Sequence, residues 1–299
     1  MSAAPLPIDH SGAQRPIVVG LDGSPSALVA LDWAAAEARS RGCGLSLIYV
    51  HPGDRYALAA METAPREQAD DIFDQALDRL AGRGFGDLDV RTALRHGLVP
   101  RVLLRASTRA PMLVVGRQGL GRLAELVVGS TSLALAARAR VPLTIVPESW
   151  DAPERAYDQV LVGVDGSARG EGAVEYAFAL AAARRLRIVA VYVMGLPYGY
   201  PVDRPLQADA ASLDKIAAEV FRSSVDLWRV KLPDVEVTKV VDYDHPAVAL
   251  ARHAAGADVA VIGGRGHGRV TGMLLGSVAR SVLRRMPIPV TVVRSDHRA

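Results

Sequence analysis

Along this chain short, dense apolar runs alternate with longer stretches in which apolar residues recur every three or four positions. IVVGL (17–21), LSLIYV (45–50) and PMLVVG (111–116) are dense runs bounded by Gly, Pro, Asp or Ser. Such runs predict strands buried on both faces of a sheet. Between them lie an Ala-rich stretch from about Ser26 to Ser40 and a segment, 66–82, with Ile72, Phe73, Ala76, Leu77 and Leu80 at helical spacing. A helix over about 100–108 places Pro100 in its first turn, where the missing N–H costs nothing. Another begins near Ser130, and strands are predicted near 88–95 and at VPLTIVP (141–147).

The second half repeats this order. Strands are predicted at 159–164, 187–193, 234–241, 258–263 and 289–293. Its longest helix is predicted over 209–230, with Leu213, Ile216, Val220 and Leu227 toward the core. Strands separated by helices imply right-handed βαβ crossovers and a parallel sheet. The predicted fold class is α/β.

The halves are copies at the level of motif. IVVGLDGS (17–24) matches VLVGVDGS (160–167), with Gly20 and Gly163 lying 143 residues apart. LVVGRQGLGRLAELVVGSTS (113–132) matches AVIGGRGHGRVTGMLLGSVA (260–279), with Gly116 and Gly263 lying 147 apart. A duplication with a small indel explains both offsets. We therefore expect two domains, 15–148 and 156–294, joined by the polar, Pro-containing segment 147–158.

Each copy carries G-x2-G-x9-G-S after a predicted strand and before a predicted helix: Gly116, Gly119 and Gly129-Ser130, then Gly263, Gly266 and Gly276-Ser277. Successive glycines at a strand end let backbone N–H groups converge without Cβ atoms in the way. A Gly-Ser pair opening a helix adds free N–H groups and the positive end of the helix dipole, which together favour a phosphate. Ser130 or Ser277 would cap that helix or donate to the ligand. The competing reading, glycines serving turn geometry alone, is weakened by two copies holding the spacing while the residues between differ. No lysine follows a glycine, as a Walker A loop requires, and the first strand ends in Asp-Gly-Ser instead of a dinucleotide fingerprint.

With these motifs the chain resembles a tandem, ATP-binding universal stress protein over about nine-tenths of its length. The resemblance implies two open, five-stranded, parallel, doubly wound Rossmann-like domains, with ATP across the carboxyl ends of the strands. It implies that Asp22 and Asp165 approach the adenosine, that Gly20 and Gly163 leave room beside them, and that Val50 and Val193 line the adenine pocket. Gly116, Gly119, Gly121 and Arg122, with Gly263, Gly266, Gly268 and Arg269, would wrap the ribose and phosphates. Gly129, Ser130 and Thr131, with Gly276, Ser277 and Val278, would complete the phosphate sites. The family commonly has an acidic residue just before the fourth strand; Asp258 fills that place in the second copy and Met112 in the first. With Gln118 and Leu120 in one loop and Arg265 and His267 in the other, two sites of different affinity are expected. The apolar last strands imply pairing into an intramolecular pseudo-dimer and a homo-oligomer, a dimer, between chains.

Composition narrows the alternatives. The 299 residues carry a net charge of +3, and the basic residues, only three of them lysines, are interleaved with acids. No stripe suggests nucleic-acid binding. A single cysteine, Cys43, excludes an internal disulfide and a thiolate metal cluster. Neither a signal peptide nor an 18-residue apolar span is visible, so no membrane partner and a cytoplasmic location are expected. The seven histidines show no metal spacing, although His51 and His96 follow strands at the ligand end. No nucleophile–base pair is apparent, and Mg2+ is expected only through bound phosphates. Three readings stay open: an ATP-binding regulator of the stress response, not an enzyme or at most a slow one; an ATPase or nucleotidyl-transferring enzyme; and a nucleotide-free scaffold.

Overall fold

The computed structural model describes residues 15–53, 63–118, 128–151, 158–194, 210–266 and 275–294. The chain divides into two compact units, Met1–Ala152 and Pro153–Ala299.

In the first unit the strands are β1 (Ile17–Leu21), β2 (Leu45–His51), β3 (Val90–His96), β4 (Leu113–Gly116) and β5 (Leu143–Val146). The helices are α1 (Pro25–Arg41), α2 (Thr63–Gly82), α3 (Val99–Ala106) and α4 (Ser130–Arg138). Sheet order is β3-β2-β1-β4-β5, with each neighbouring pair parallel. Helix α1 packs on α2 and α3 packs on α4, the pairing expected when helices cover both faces of a doubly wound sheet. Ile17, Leu45, Leu47, Leu113 and Leu143 are sealed from solvent. The winding reverses between β1 and β4, and a crevice outside the strands' carboxyl ends opens at such a point.

The second unit contains β6 (Gln159–Val164), β7 (Arg187–Val193), β8 (Val237–Asp242), β9 (Ala257–Gly263) and β10 (Val290–Val293). Its helices are α5 (Glu171–Arg184), α6 (Ala210–Ser224), α7 (Asp226–Lys231), α8 (Pro246–Arg252) and α9 (Ser277–Arg285). The order β8-β7-β6-β9-β10, again parallel throughout, repeats the first unit. The α/β, parallel, doubly wound architecture expected from the sequence is therefore present in both halves.

Two expectations need correction. The helix predicted over 209–230 is broken into α6 and α7 around Val225. The Ser223 and Ser224 hydroxyls both donate to the Val220 carbonyl (3.1 and 2.6 Å), and such back-bonding competes with the helical ladder and bends it. The buried face is then Ala217, Phe221, Ser224 and Val225, while Ile216 and Leu227 are 50% and 59% exposed. Leu77 likewise points out of α2 at 40% exposure, whereas Ile72, Phe73, Ala76 and Leu80 are buried.

Candidate functional site

Both Asp-Gly-Ser turns fold the same way. The Ser24 N–H donates to Asp22 Oδ1 (3.0 Å), and the Ser167 N–H donates to Asp165 Oδ1 (2.9 Å). Gly23 and Gly166 sit at φ +79° and +74°, a conformation glycine adopts without steric cost. Ser24 then caps α1 by accepting from the Ala27 N–H (3.2 Å). Each turn thus takes Oδ1 of its aspartate. In the second unit Oδ2 of Asp165 faces the glycine loop and stands against the place a Cβ on Gly266 would take. Residues 101 positions apart meet there, and a side chain on Gly266 would have to displace the Asp165 carboxylate.

The remaining glycines divide by role. A Cβ on Gly116 would fall 2.6–2.7 Å from Oγ, C and O of Ser26, so the end of β4 runs directly against the first turn of α1. The Ser26 hydroxyl accepts from the Gln118 N–H (3.3 Å) and holds the strand exit there. Gly263 is looser, with Arg265 O at 3.2 Å and Gly170 Cα at 3.5 Å from the added atom. At Gly20 the space expected to stay open is filled by Leu103 and Val115, 3.0 and 3.1 Å from an added Cβ, so this glycine serves the packing of α3 on the sheet. Leu250 and Ile262 stand beside Gly163 in the same way, at 3.4 Å.

Gly129 and Gly276 are themselves the N-caps of α4 and α9, without a side-chain cap bond, so Ser130 and Ser277 do not cap these helices. Both serines are exposed in the first helical turn. The Gly129 N–H donates to the Arg117 carbonyl (2.8 Å) and the Gly276 N–H to the Gly264 carbonyl (3.0 Å), so each helix start is tied to the strand exit. Ser132 adds a tie in the first unit only, donating to the Gly116 carbonyl (2.9 Å); its counterpart is the buried Ala279. Ser130 and Thr131 line a cleft of about 780 Å³ together with Pro52, Gly53, His96 and Leu98. Thr131 is half-buried and Val278 is 42% exposed. Val50 is buried and Val193 half-buried at the ends of β2 and β7. Gly119, Gly121 and Arg122, and Gly268 and Arg269, lie outside the described residues.

The sequence reasoning missed Tyr49 and Tyr192. Burial, and then the charge of Asp22 or Asp165, pushes each phenol above its usual range, so a tyrosine stands beside each turn aspartate. Their repeat at the 143-residue offset was the available signal. Asp258 is buried and pairs with Arg184 (2.5 Å), a structural role. The strand register sets Pro111 at the matching place in the first unit, and the fully buried Met112, expected there, matches Val259 instead.

A doubly wound, parallel α/β domain present twice in one chain defines the class, and comparison identifies it. The profile of the Universal stress protein family matches residues 14–147 and again 156–294. The chain is 33% identical to a universal stress protein of Mycolicibacterium smegmatis over 95% of its own length and 99% of that protein. Universal stress protein Rv2005c of Mycobacterium tuberculosis is also 33% identical, over 95% of this chain and 98% of its own. A universal stress protein structure from Archaeoglobus fulgidus shares the fold, with a TM-score of 0.66 and 19% identity across 94% of this chain and 97% of that one. The protein is a tandem member of the universal stress protein family.

Proposed function

We propose that each domain binds one ATP at the carboxyl end of its sheet, and that occupancy controls assembly or partner binding. The observation that carries this reading is the meeting of Gly266 with Oδ2 of Asp165. It brings the aspartate turn and the glycine loop to one point, beside a strand exit tied to a helix N-terminus. The turn carboxylate is an acceptor for the ribose or base, while the N–H groups opening α4 and α9 receive phosphate oxygens. Mg2+ would be held through those phosphates, in keeping with its preference for oxygen and retained water. We assign no catalytic residue and propose binding, with at most slow hydrolysis, in place of rapid turnover. The domains are proposed as 15–148 and 156–294, and the functional assembly as a homo-oligomer whose state follows occupancy.

The test is the nucleotide released from freshly purified, heat-denatured protein. Glutamate at Gly116 would strike the backbone of Ser26, so the informative variants are Ser130→Glu and Ser277→Glu. A carboxylate in the first helical turn favours the helix and repels phosphate. The reading expects about two ATP per chain in the wild type, one in each variant and none in the double variant. Protein that carries no nucleotide and takes up none when ATP is added back would leave only the scaffold reading. Mostly ADP would call for a hydrolysis assay.

A further inference from the structure

At the carboxyl end of β2 and β3, His51 and His96 occupy facing positions in the strand register. Their ring centres are 5.9 Å apart and the planes are tilted by 60°. Nδ1 of each ring is sealed from solvent and has no hydrogen-bond partner among the described residues. Buried polar atoms without partners are rare in folded proteins, and an ion or water is the usual explanation. Here two such atoms sit on adjacent strands beside a cleft that His96 lines. Two imidazoles bound to one ion at about 2.0–2.1 Å per bond place their ring centres roughly 5–6 Å apart. The observed spacing is within that reach.

We propose that His51 and His96 form a two-imidazole site for a borderline divalent transition-metal ion, Zn2+, Ni2+ or Cu2+. Imidazole nitrogen suits these ions and not Mg2+, so this site is distinct from any magnesium carried by a nucleotide. No group of three or more His, Cys, Asp or Glu with metal-holding geometry occurs among the described residues. The ion therefore keeps open positions, filled by water, and exchanges; it is not a closed structural zinc. The second domain lacks the pair. Val193 and Asp242 match Val50 and Arg95, and one residue further Met194 and Tyr243 stand where His51 and His96 do. The nearby Asp242 is already engaged by His253 (2.9 Å) and the Asp244 N–H (3.0 Å). One ion per chain follows.

The experiment is a competition titration of the untagged, full-length, nucleotide-free chain with Zn2+ against a chromophoric chelator, repeated with Ni2+ and Cu2+. Wild type should bind one equivalent and unfold at a higher temperature with the ion present. Two linked ligands exceed either alone by about 10²–10⁴, so His51→Gln or His96→Gln should weaken binding on the order of a hundredfold, and His253→Gln should not. A second readout needs no variant: Ni2+ should broaden the imidazole proton resonances of these two histidines before those of the other five. Uptake of none of the three ions, equal binding by the double variant, or broadening that begins at other histidines would overturn the proposal. Because no nucleotide is present, the result is independent of the ATP reading.

Discussion

Helix α1 begins at Pro25, directly after the first Asp-Gly-Ser turn, whereas Ala168, Arg169 and Gly170 intervene before α5. Proline presets the backbone for a helix start and Ser24 caps it at once. In the second domain Ser167 accepts from the Gly170 N–H (3.0 Å) and closes an extra turn instead. The first helix therefore presses its opening turn on Gly116, while the second leaves Gly263 comparatively free. In one domain packing is enough to demand a glycine at that strand exit. In the other it is not, and the close approach of the proposed nucleotide to the backbone would supply the reason. Supporting charge differs as well. Asp32 of α1, buried, takes a two-pronged bond from Arg79 (2.8 and 2.7 Å), whereas the second domain uses Arg184 with Asp258 and His253 with Asp242. The Asp-Gly-Ser turns repeat, and the struts behind them do not.

The sharpest way to break this comparison is to add one methyl group at each strand exit. Gly116→Ala should destabilise its domain by about 3 kcal/mol or more, because the clash is with backbone, and Gly263→Ala by about 1 kcal/mol. Denaturant unfolding reads both, and equal losses would refute the asymmetry. A smaller effect is expected at Asp242. Burial alone would raise its pKa, but the Asp244 N–H, His253 and Arg252 outweigh burial and hold it below the ordinary value. Its contribution is present above the unfolded carboxylate pKa of about 3.9 and fades as pH falls through the lower folded value. Asp242→Asn should cost about 1–2 kcal/mol at pH 7, and the deficit should shrink below about pH 4. The matching strand end of the first domain carries Arg95, which has no carboxylate to protonate. Smallest of all, Leu227→Ser should change stability by less than about 0.5 kcal/mol, and Phe221→Leu by more. A reversed order would restore the unbroken helix predicted over 209–230.

Much of the fold was legible because buried parallel strands write themselves as dense Val, Ile and Leu runs. The strands at 159–164 and 187–193 coincide with the predicted ones, and the Gly-rich exits mark where strands stop. The break at Val225 was not legible, since neither glycine nor proline marks it and its cause is two serine hydroxyls sharing one carbonyl. The site was legible as a set of glycines but not in their separate duties. Spacing cannot show that Gly20 makes way for Leu103 or that Gly116 makes way for Ser26, because both neighbours arrive from elsewhere in the chain. Nor does sequence alone show His51 opposite His96, which depends on strand register.

The central claim is one adenine-nucleotide site in each domain, and its most direct test is calorimetric titration of the nucleotide-stripped chain with Mg-ATP. The account predicts two equivalents per chain, one lost with Ser130→Glu and the other with Ser277→Glu. A single equivalent untouched by either substitution, or no heat of binding in a folded wild-type chain, would contradict it.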